Sequence, residues 1–248
     1  MSPRDTASTF AKGLAILSCF EGGRSDLTMA DIARLTGFDR ATARRLCLTL
    51  QSSGYLYKHE KVLRLTPKVL AIAGGYLKAE YIGKTVQPTL DQFAKELDGE
   101  IALAVRDGTR AIYVARSAVP SARLSLGLSV GSTLPLLPTA VGRMLLASCP
   151  APQRAQIMAD CEIERFTEKT ELNHAAIEAK VQKAAVQGFA YAANEFEMGA
   201  AGVSVPVQEI SQTQAVLATT ASVNSFNDQS QLDHVLNILR KAAMSLRR

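Results

Sequence analysis

The chain has 248 residues, 47% of them hydrophobic and 21% charged. These values suit one large or two ordinary globular domains and exclude wholesale disorder and a disulfide-stapled miniprotein. The net charge of +5 is confined to the first third: residues 1–75 hold 11 Lys/Arg against 6 Asp/Glu, and the remainder balances. No run approaches the roughly 18–20 apolar residues of a membrane span. The opening MSPRDTASTF has no apolar core and predicts no secretory signal, so a cytoplasmic protein is expected.

A basic first domain beside a neutral remainder suits a polyanion partner, although a solvated basic face fits the charge equally well. The four cysteines (Cys19, Cys47, Cys149, Cys161) form no CxxC pair and read as buried free thiols. The three histidines (His59, His174, His234) are isolated, so no metal site is expected.

In chain order, Phe10–Phe20 reads as a helix with Phe10, Leu14 and Leu17 on one face and Ser8 or Thr9 as cap. Thr28 caps a second, short helix with Asp31 as its capping-box partner. That helix is expected to bury Met29, Ile32, Ala33 and Leu35 and to stop at Gly37. Asp39 caps a third helix from Arg40 to about Ser52, closed by Gly54. A short helix, a four-residue link and a longer helix make the helix-turn-helix layout. In the third helix Ala43, Leu46, Cys47 and Leu50 share an apolar arc. Arg40, Ala41, Thr42, Arg44 and Arg45 lie in its N-terminal half, which enters the major groove in such motifs. Arginine there can fork onto guanine, and small residues permit close approach.

Tyr55–Tyr57 and Val62–Leu65 then form a wing-like hairpin, with Lys58, Lys61 and Arg64 placed for phosphate contacts. Thr66-Pro67 starts a helix whose apolar run, Val69 to Leu77, must bury against something, a second subunit among the options. Residues 76–98 continue as helix with a break or kink at Pro88, and the domain boundary falls near Tyr76–Lys84.

Asp107-Gly108 joins two apolar runs, Ile101–Val105 and Ala111–Ala115, as a hairpin. The alternation of Leu124, Leu126, Leu128 and Val130 predicts a half-buried strand. Gly131–Pro138 leads into a helix over Thr139–Ser148, Pro150 and Pro152 begin another, and His174–Gln187 is helical up to Gly188. Strands follow at Phe189–Ala193, Gly202–Val207 and Ala215–Ser222, and Gln229–Arg248 closes the chain as a helix. This mixture predicts an α+β domain of about 160 residues. Ser204, Thr219, Thr220 and Ser222 among apolar strand positions fit a small-molecule pocket and a half-exposed strand equally. No GxSxG, HExxH, P-loop or GxGxxG context appears, so neither an enzyme nor a cofactor is expected. The alternative, an enzyme acting on a small acid with an appended winged helix, lacks a nucleophile–base constellation.

The order and spacing of several segments resemble the IclR family of bacterial transcriptional regulators along essentially the whole chain. They are Phe10-Ala-Lys-Gly-Leu-Ala-Ile-Leu17, Leu27–Gly37, Arg40-Ala-Thr-Ala-Arg-Arg-Leu46, Ile112-Tyr-Val-Ala-Arg-Ser117, Thr139–Ala147, Glu195-Phe-Glu-Met-Gly199 and Val203–Val207. The Ala11–Ala15 opening, the Arg40–Arg45 helix and Tyr113–Ser117 look most like the branch regulating aromatic-acid catabolism. The resemblance implies a winged helix-turn-helix over 1–75, a dimerising linker helix over 76–88 and a GAF-like effector-binding domain over 89–248. It further implies a homodimer or dimer of dimers, operator DNA and a small organic-acid effector as partners, and no cofactor. Carried over by position, the DNA-binding residues are Thr28, Arg40, Ala41, Thr42, Arg44, Arg45, Lys58, Lys61 and Arg64. The effector-binding residues are Arg116, Thr139, Ala140, Arg143, Met144, Asn194, Glu195, Gly202, Ser204, Thr220 and Ser222; Arg116 or Arg143 could meet an anionic effector, or each could instead be structural. Two departures, Leu137-Pro138 and the arginine-free Ala200-Ala201-Gly202, make this pocket less polar than the family's usual one.

Overall fold

The computed structural model describes residues 7–79, 82–120, 128–210, 213–226 and 228–246. The chain divides into two units, Met1–Tyr76 and Leu77–Arg248.

In the first unit, α1 (Ser8–Ser18), α2 (Met29–Thr36) and α3 (Arg40–Ser52) pack over a three-stranded sheet of order β1-β3-β2. β2 (Leu56–His59) and β3 (Val62–Leu65) form the expected hairpin, and the two-residue β1 (Leu27–Thr28) adds to β3 as a strand too short to read from sequence. Thr28 closes a complete capping box on α2: its hydroxyl accepts from the Asp31 N–H, and the Asp31 carboxylate accepts from the Thr28 N–H. Gly37, at φ 69°, ends α2 in the left-handed region, and Asp39 caps α3 by accepting from the Thr42 N–H at 2.9 Å. Ile16, Ile32, Ala43, Leu46, Cys47, Leu56 and Leu63 form the core. One expectation fails: Leu35 is 40% exposed instead of buried. On α1 the face that carries Phe10 and Leu14 is exposed (68% and 50%) while Ile16 is buried, since a four-residue spacing marks an apolar face without saying which face the small core takes.

Helix α4 (Lys68–Ala79) starts after Thr66, whose hydroxyl accepts from the Lys68 N–H at 3.2 Å. None of its residues is fully buried, and Leu70 and Ile72 are more than 60% exposed. A π-helical turn (Ile82–Val86) and α5 (Gln87–Leu97) follow. Pro88 sits at the start of α5, directly after this π-helical turn, so the helical run over 82–97 carries an irregularity where the proline was expected to break or kink it.

The second unit is built on a six-stranded antiparallel sheet of order β6-β5-β4-β9-β8-β7. Its strands are β4 (Glu100–Asp107), β5 (Arg110–Ala118), β6 (Thr133–Pro135), β7 (Ala190–Ala193), β8 (Ala200–Ile210) and β9 (Thr213–Ser222). Side-chain alternation makes two cores. Ile101, Leu103, Val203, Val205 and Leu217 pack with α5 and with α9 (Gln229–Ser245) on one face. Ala102, Ala104, Tyr113, Val216 and Ala218 pack with α6 (Ala140–Ala147), α7 (Ala151–Asp160) and α8 (His174–Gln187) on the other. The expected strand over Leu124–Val130 is corrected: Leu128–Val130 is loop and turn, and the strand at this edge is Thr133–Pro135. Leu124 and Leu126 lie outside the described residues. Small alternating residues gave Leu128 and Val130 the period of a strand, but the backbone bonds to β5 begin only at Gly131, whose N–H donates to the Tyr113 carbonyl at 2.8 Å.

α6 lies hard against the chain that precedes it. A Cβ on Gly142 would stand 2.1 Å from the Leu136 Cα and 2.2 Å from its carbonyl oxygen, both backbone atoms that cannot yield cheaply. Gly142→Ala is therefore expected to destabilise the protein by about 3 kcal/mol through overpacking. Gly202→Ala, whose added carbon would meet nothing nearer than 3.4 Å, should cost far less. Urea unfolding of both variants checks the contrast.

Candidate DNA-reading surface and binding cavity

In the first unit the apolar arc of α3 faces the core, so the opposite face is turned outward. Arg40, Ala41, Arg44 and Arg45 are exposed on it, as are Lys58 and Lys61 at the hairpin. None of these cations enters an ion pair among the described residues. Three other candidates have local work. Thr28 is occupied by the capping box. The Thr42 hydroxyl donates to Asp39 at 2.7 Å. Arg64 pairs with Asp26 at 2.5 Å, which holds the Asp26 carboxyl below its ordinary value. These three stabilise the frame that presents the exposed arginines.

In the second unit a small recess, partly open to solvent, lies between the sheet and the start of α6. Small residues make its floor. Ala192, Gly202 and Thr220 are in register across β7, β8 and β9, with Ala218 beside them. Its walls are Pro138–Val141 at the start of α6 and Asn194–Glu197 in the β7–β8 connection, with Tyr113 and Leu134 closing the side. Thr139 caps α6, accepting from the Gly142 N–H at 3.0 Å and donating to the Pro135 carbonyl at 2.7 Å. The N–H groups of Ala140 and Val141, in the first turn, have no acceptor within the helix. Asn194 adopts φ 61°, a conformation its short polar side chain tolerates, and its side-chain Oδ1 accepts from the Gly199 N–H at 2.7 Å, closing the loop.

Arg143 and Glu195 are both buried and form a bidentate pair at 2.8 and 2.7 Å. Arg143 Nε donates to the Leu137 carbonyl at 2.8 Å. Glu195 also accepts from Lys180 Nζ at 3.1 Å and from the Glu171 N–H at 3.1 Å. Burial alone would raise the Glu195 carboxyl, but the hydrogen bonds and charge of Arg143, the Glu171 N–H and Lys180 outweigh it and hold the carboxyl below its ordinary value.

Of the effector candidates, Thr139, Ala140, Asn194, Glu195, Gly202 and Thr220 line this cavity; five others do not. Arg143 is engaged by Glu195 behind the wall. Arg116 pairs with buried Glu100 at 2.5 Å. Met144 is core. Ser204 is buried, donating to the Leu217 carbonyl at 3.0 Å, and Ser222 lines a separate groove beside α9. Each of these two arginines is paired with a carboxylate that the fold brings to it, and neither lines this cavity. Sequence reasoning missed Tyr113, Ala192, Phe196 and Glu197. The small-residue register across β7 and β8 was the available sign for Ala192, but it needs strand pairing to be read.

Removing one member of the Arg143–Glu195 pair strands the other. Glu195→Ala should cost about 3–5 kcal/mol at pH 7, and the double variant Arg143→Leu/Glu195→Leu should cost less than that single change. A carboxyl lowered by folding adds stability that is fully present above the unfolded value, about 4.3, and is lost as pH falls through the folded one. The advantage of the wild type over the double variant should therefore shrink below about pH 4, which urea melts across pH measure.

The family model of the bacterial transcriptional regulator IclR C-terminal region matches residues 74–248, and that of the IclR helix-turn-helix domain matches residues 9–60. The Pca regulon regulatory protein of Pseudomonas putida is 30% identical over 98% of this chain and 84% of its own. The p-hydroxybenzoate hydroxylase transcriptional activator of Acinetobacter baylyi is 29% identical over 98% and 92%. Among solved structures, an IclR homolog from Microbacterium hydrocarbonoxydans complexed with 4-hydroxybenzoate superposes with a TM-score of 0.77 at 21% identity, covering 96% of this chain and 97% of that one. The matched families and relatives are transcriptional regulators, not enzymes, and no helix among the described residues is long and apolar enough to cross a membrane. Outward-facing arginines on a capped helix-turn-helix, with a cavity in a separate sheet domain, thus belong to a member of the IclR family of bacterial transcriptional regulators.

Proposed function

We propose that this regulator reads operator DNA with the N-terminal half of α3 and responds to a small aromatic acid held in the cavity of its sheet domain. Residues 1–75 are the DNA-binding domain, 76–88 the linker and 89–248 the effector-binding domain. The observation that carries the reading is the cavity itself. Its alanine and glycine floor and Phe196 wall suit a flat ring, and the unpaired N–H groups opening α6 suit a carboxylate. The regulator of an aromatic hydroxylase among its relatives and the 4-hydroxybenzoate complex among its structural neighbours support the same class. Arg40, Arg44 and Arg45 contact bases or nearby phosphates, and Lys58 and Lys61 contact phosphates. The protein acts in the cytoplasm as a homodimer or a dimer of dimers. The exposed Leu70 and Ile72 of α4 and Phe10 and Leu14 of α1 are the apolar surface available for that assembly. Effector binding favours one arrangement of the dimer and so changes how two recognition helices meet half-sites about 34 Å apart.

Two experiments test this reading. In thermal-shift titrations against small organic acids, a ligand at about 100 times its Kd should add ~2.7 kcal/mol of stability. Gly202→Val, which fills the floor, should abolish that gain, and a gain that survives it places the ligand elsewhere. In DNA titrations across operator variants, Arg44→Ala should relax preference at particular positions by about 1–3 kcal/mol. Uniform weakening across all sequences would instead mark Arg44 as a phosphate contact.

A further inference from the structure

Tyr113 is the largest polar side chain on the cavity's sheet side. It is 1% exposed, and it stands on β5 among Ala102, Ala104 and Ala218, none of which can satisfy its hydroxyl. A buried phenol needs a partner, and the Thr220 side chain lines the same cavity. Two hydroxyls carry two protons and four lone pairs between them. Even with one bond between them, the two keep a donor and acceptors for a third oxygen. Burial, with the Glu100 charge nearby, raises the Tyr113 hydroxyl above its ordinary value, so it keeps its proton and reads by hydrogen bonding. The nearest cation acting on it, Arg116, is paired with Glu100, so that couple brings no net charge to this end of the cavity. An uncompensated carboxylate here would lose its hydration without a counter-charge.

We infer that the Tyr113–Thr220 hydroxyl pair determines specificity by recognising a neutral oxygen, hydroxyl or carbonyl, carried on the ring of the effector. The inference rests on the reading of the cavity as the site of an aromatic acid and adds to it the substituent that the ring must bear. An effector with one carboxylate and one ring hydroxyl fits, and a ring with a carboxylate at each end does not.

Isothermal titration of the full-length protein tests this with benzoate, 3- and 4-methylbenzoate, 3- and 4-hydroxybenzoate and terephthalate. In the wild type at least one hydroxybenzoate should bind about tenfold tighter than its methyl counterpart, and terephthalate more weakly than either. In Tyr113→Phe, which keeps the ring and the packing, that preference should fall to about twofold or less while methylbenzoate affinity holds. Thr220→Val should narrow it in the same direction. A tenfold preference surviving in Tyr113→Phe overturns the inference, as does equal weakening of methyl and hydroxyl probes, which marks a structural tyrosine. Terephthalate binding as tightly as the hydroxybenzoates overturns the neutral oxygen. If no probe binds the wild type, the aromatic-acid reading itself fails before any variant is compared, and the inference falls with it.

Discussion

The cavity depends on one buried ion pair. Arg143 comes from α6 and Glu195 from the loop after β7, 52 residues later, and their two parallel hydrogen bonds tie together the opposite walls of the binding site. Such a pair is tolerable in a protein interior only when the remaining polar atoms are also satisfied. Here they are drawn from several directions. The Leu137 carbonyl takes Arg143 Nε, the Glu171 N–H and Lys180 reach the Glu195 oxygens, and the Thr170 hydroxyl donates to the Glu195 backbone carbonyl at 2.7 Å. The segment before α8, α8 itself, α6 and the β7–β8 loop thus converge on one carboxylate. A wall fixed in this way can hold a recess open beside it.

The same convergence explains the shape of the space. α6 must approach its own preceding segment closely enough for Arg143 to reach Leu137, and Gly142 permits this by having no Cβ. The sheet opposite carries alanine and glycine where a typical core would carry valine or leucine, so the layers are held at a spacing that their side chains do not fill. The polar groups at the lining are the opening N–H groups of α6, the hydroxyls of Tyr113, Thr139, Thr219 and Thr220, and the side chains of Asn194, Glu195 and Glu197.

In the first unit the organising chemistry is local. The Thr28–Asp31 capping box and the Asp39 cap fix the starts of α2 and α3 from within four residues, and Gly37 sets the turn between them. Ala43, Leu46 and Cys47 then fix which side of α3 is buried, and the arginines face outward by default. Charge is concentrated in this unit, where steering toward a polyanion needs it, while the second unit carries equal numbers of each sign.

This division of labour decided what could be read in advance. The sequence alone determined the helix-turn-helix with its caps, the recognition-helix face, the Asp107-Gly108 hairpin and the family, because each rests on residues within a few positions of one another or on motif order along the chain. It also pointed to Thr139, Asn194 and Gly202 by position within recognised segments. It misplaced the strand near Val130, because alternating small residues have the right period whether or not a neighbour is there to pair with them. It expected Leu35 in the core, where the residue is 40% exposed, because spacing marks an apolar stripe but not the core it meets. Above all, it offered Arg116 and Arg143 to the ligand. Only the tertiary structure could bring Glu100 and Glu195 to those guanidiniums and leave Tyr113 in the cavity. An arginine's availability depends on charges brought beside it by pairing and packing across tens of residues, and sequence spacing does not encode them.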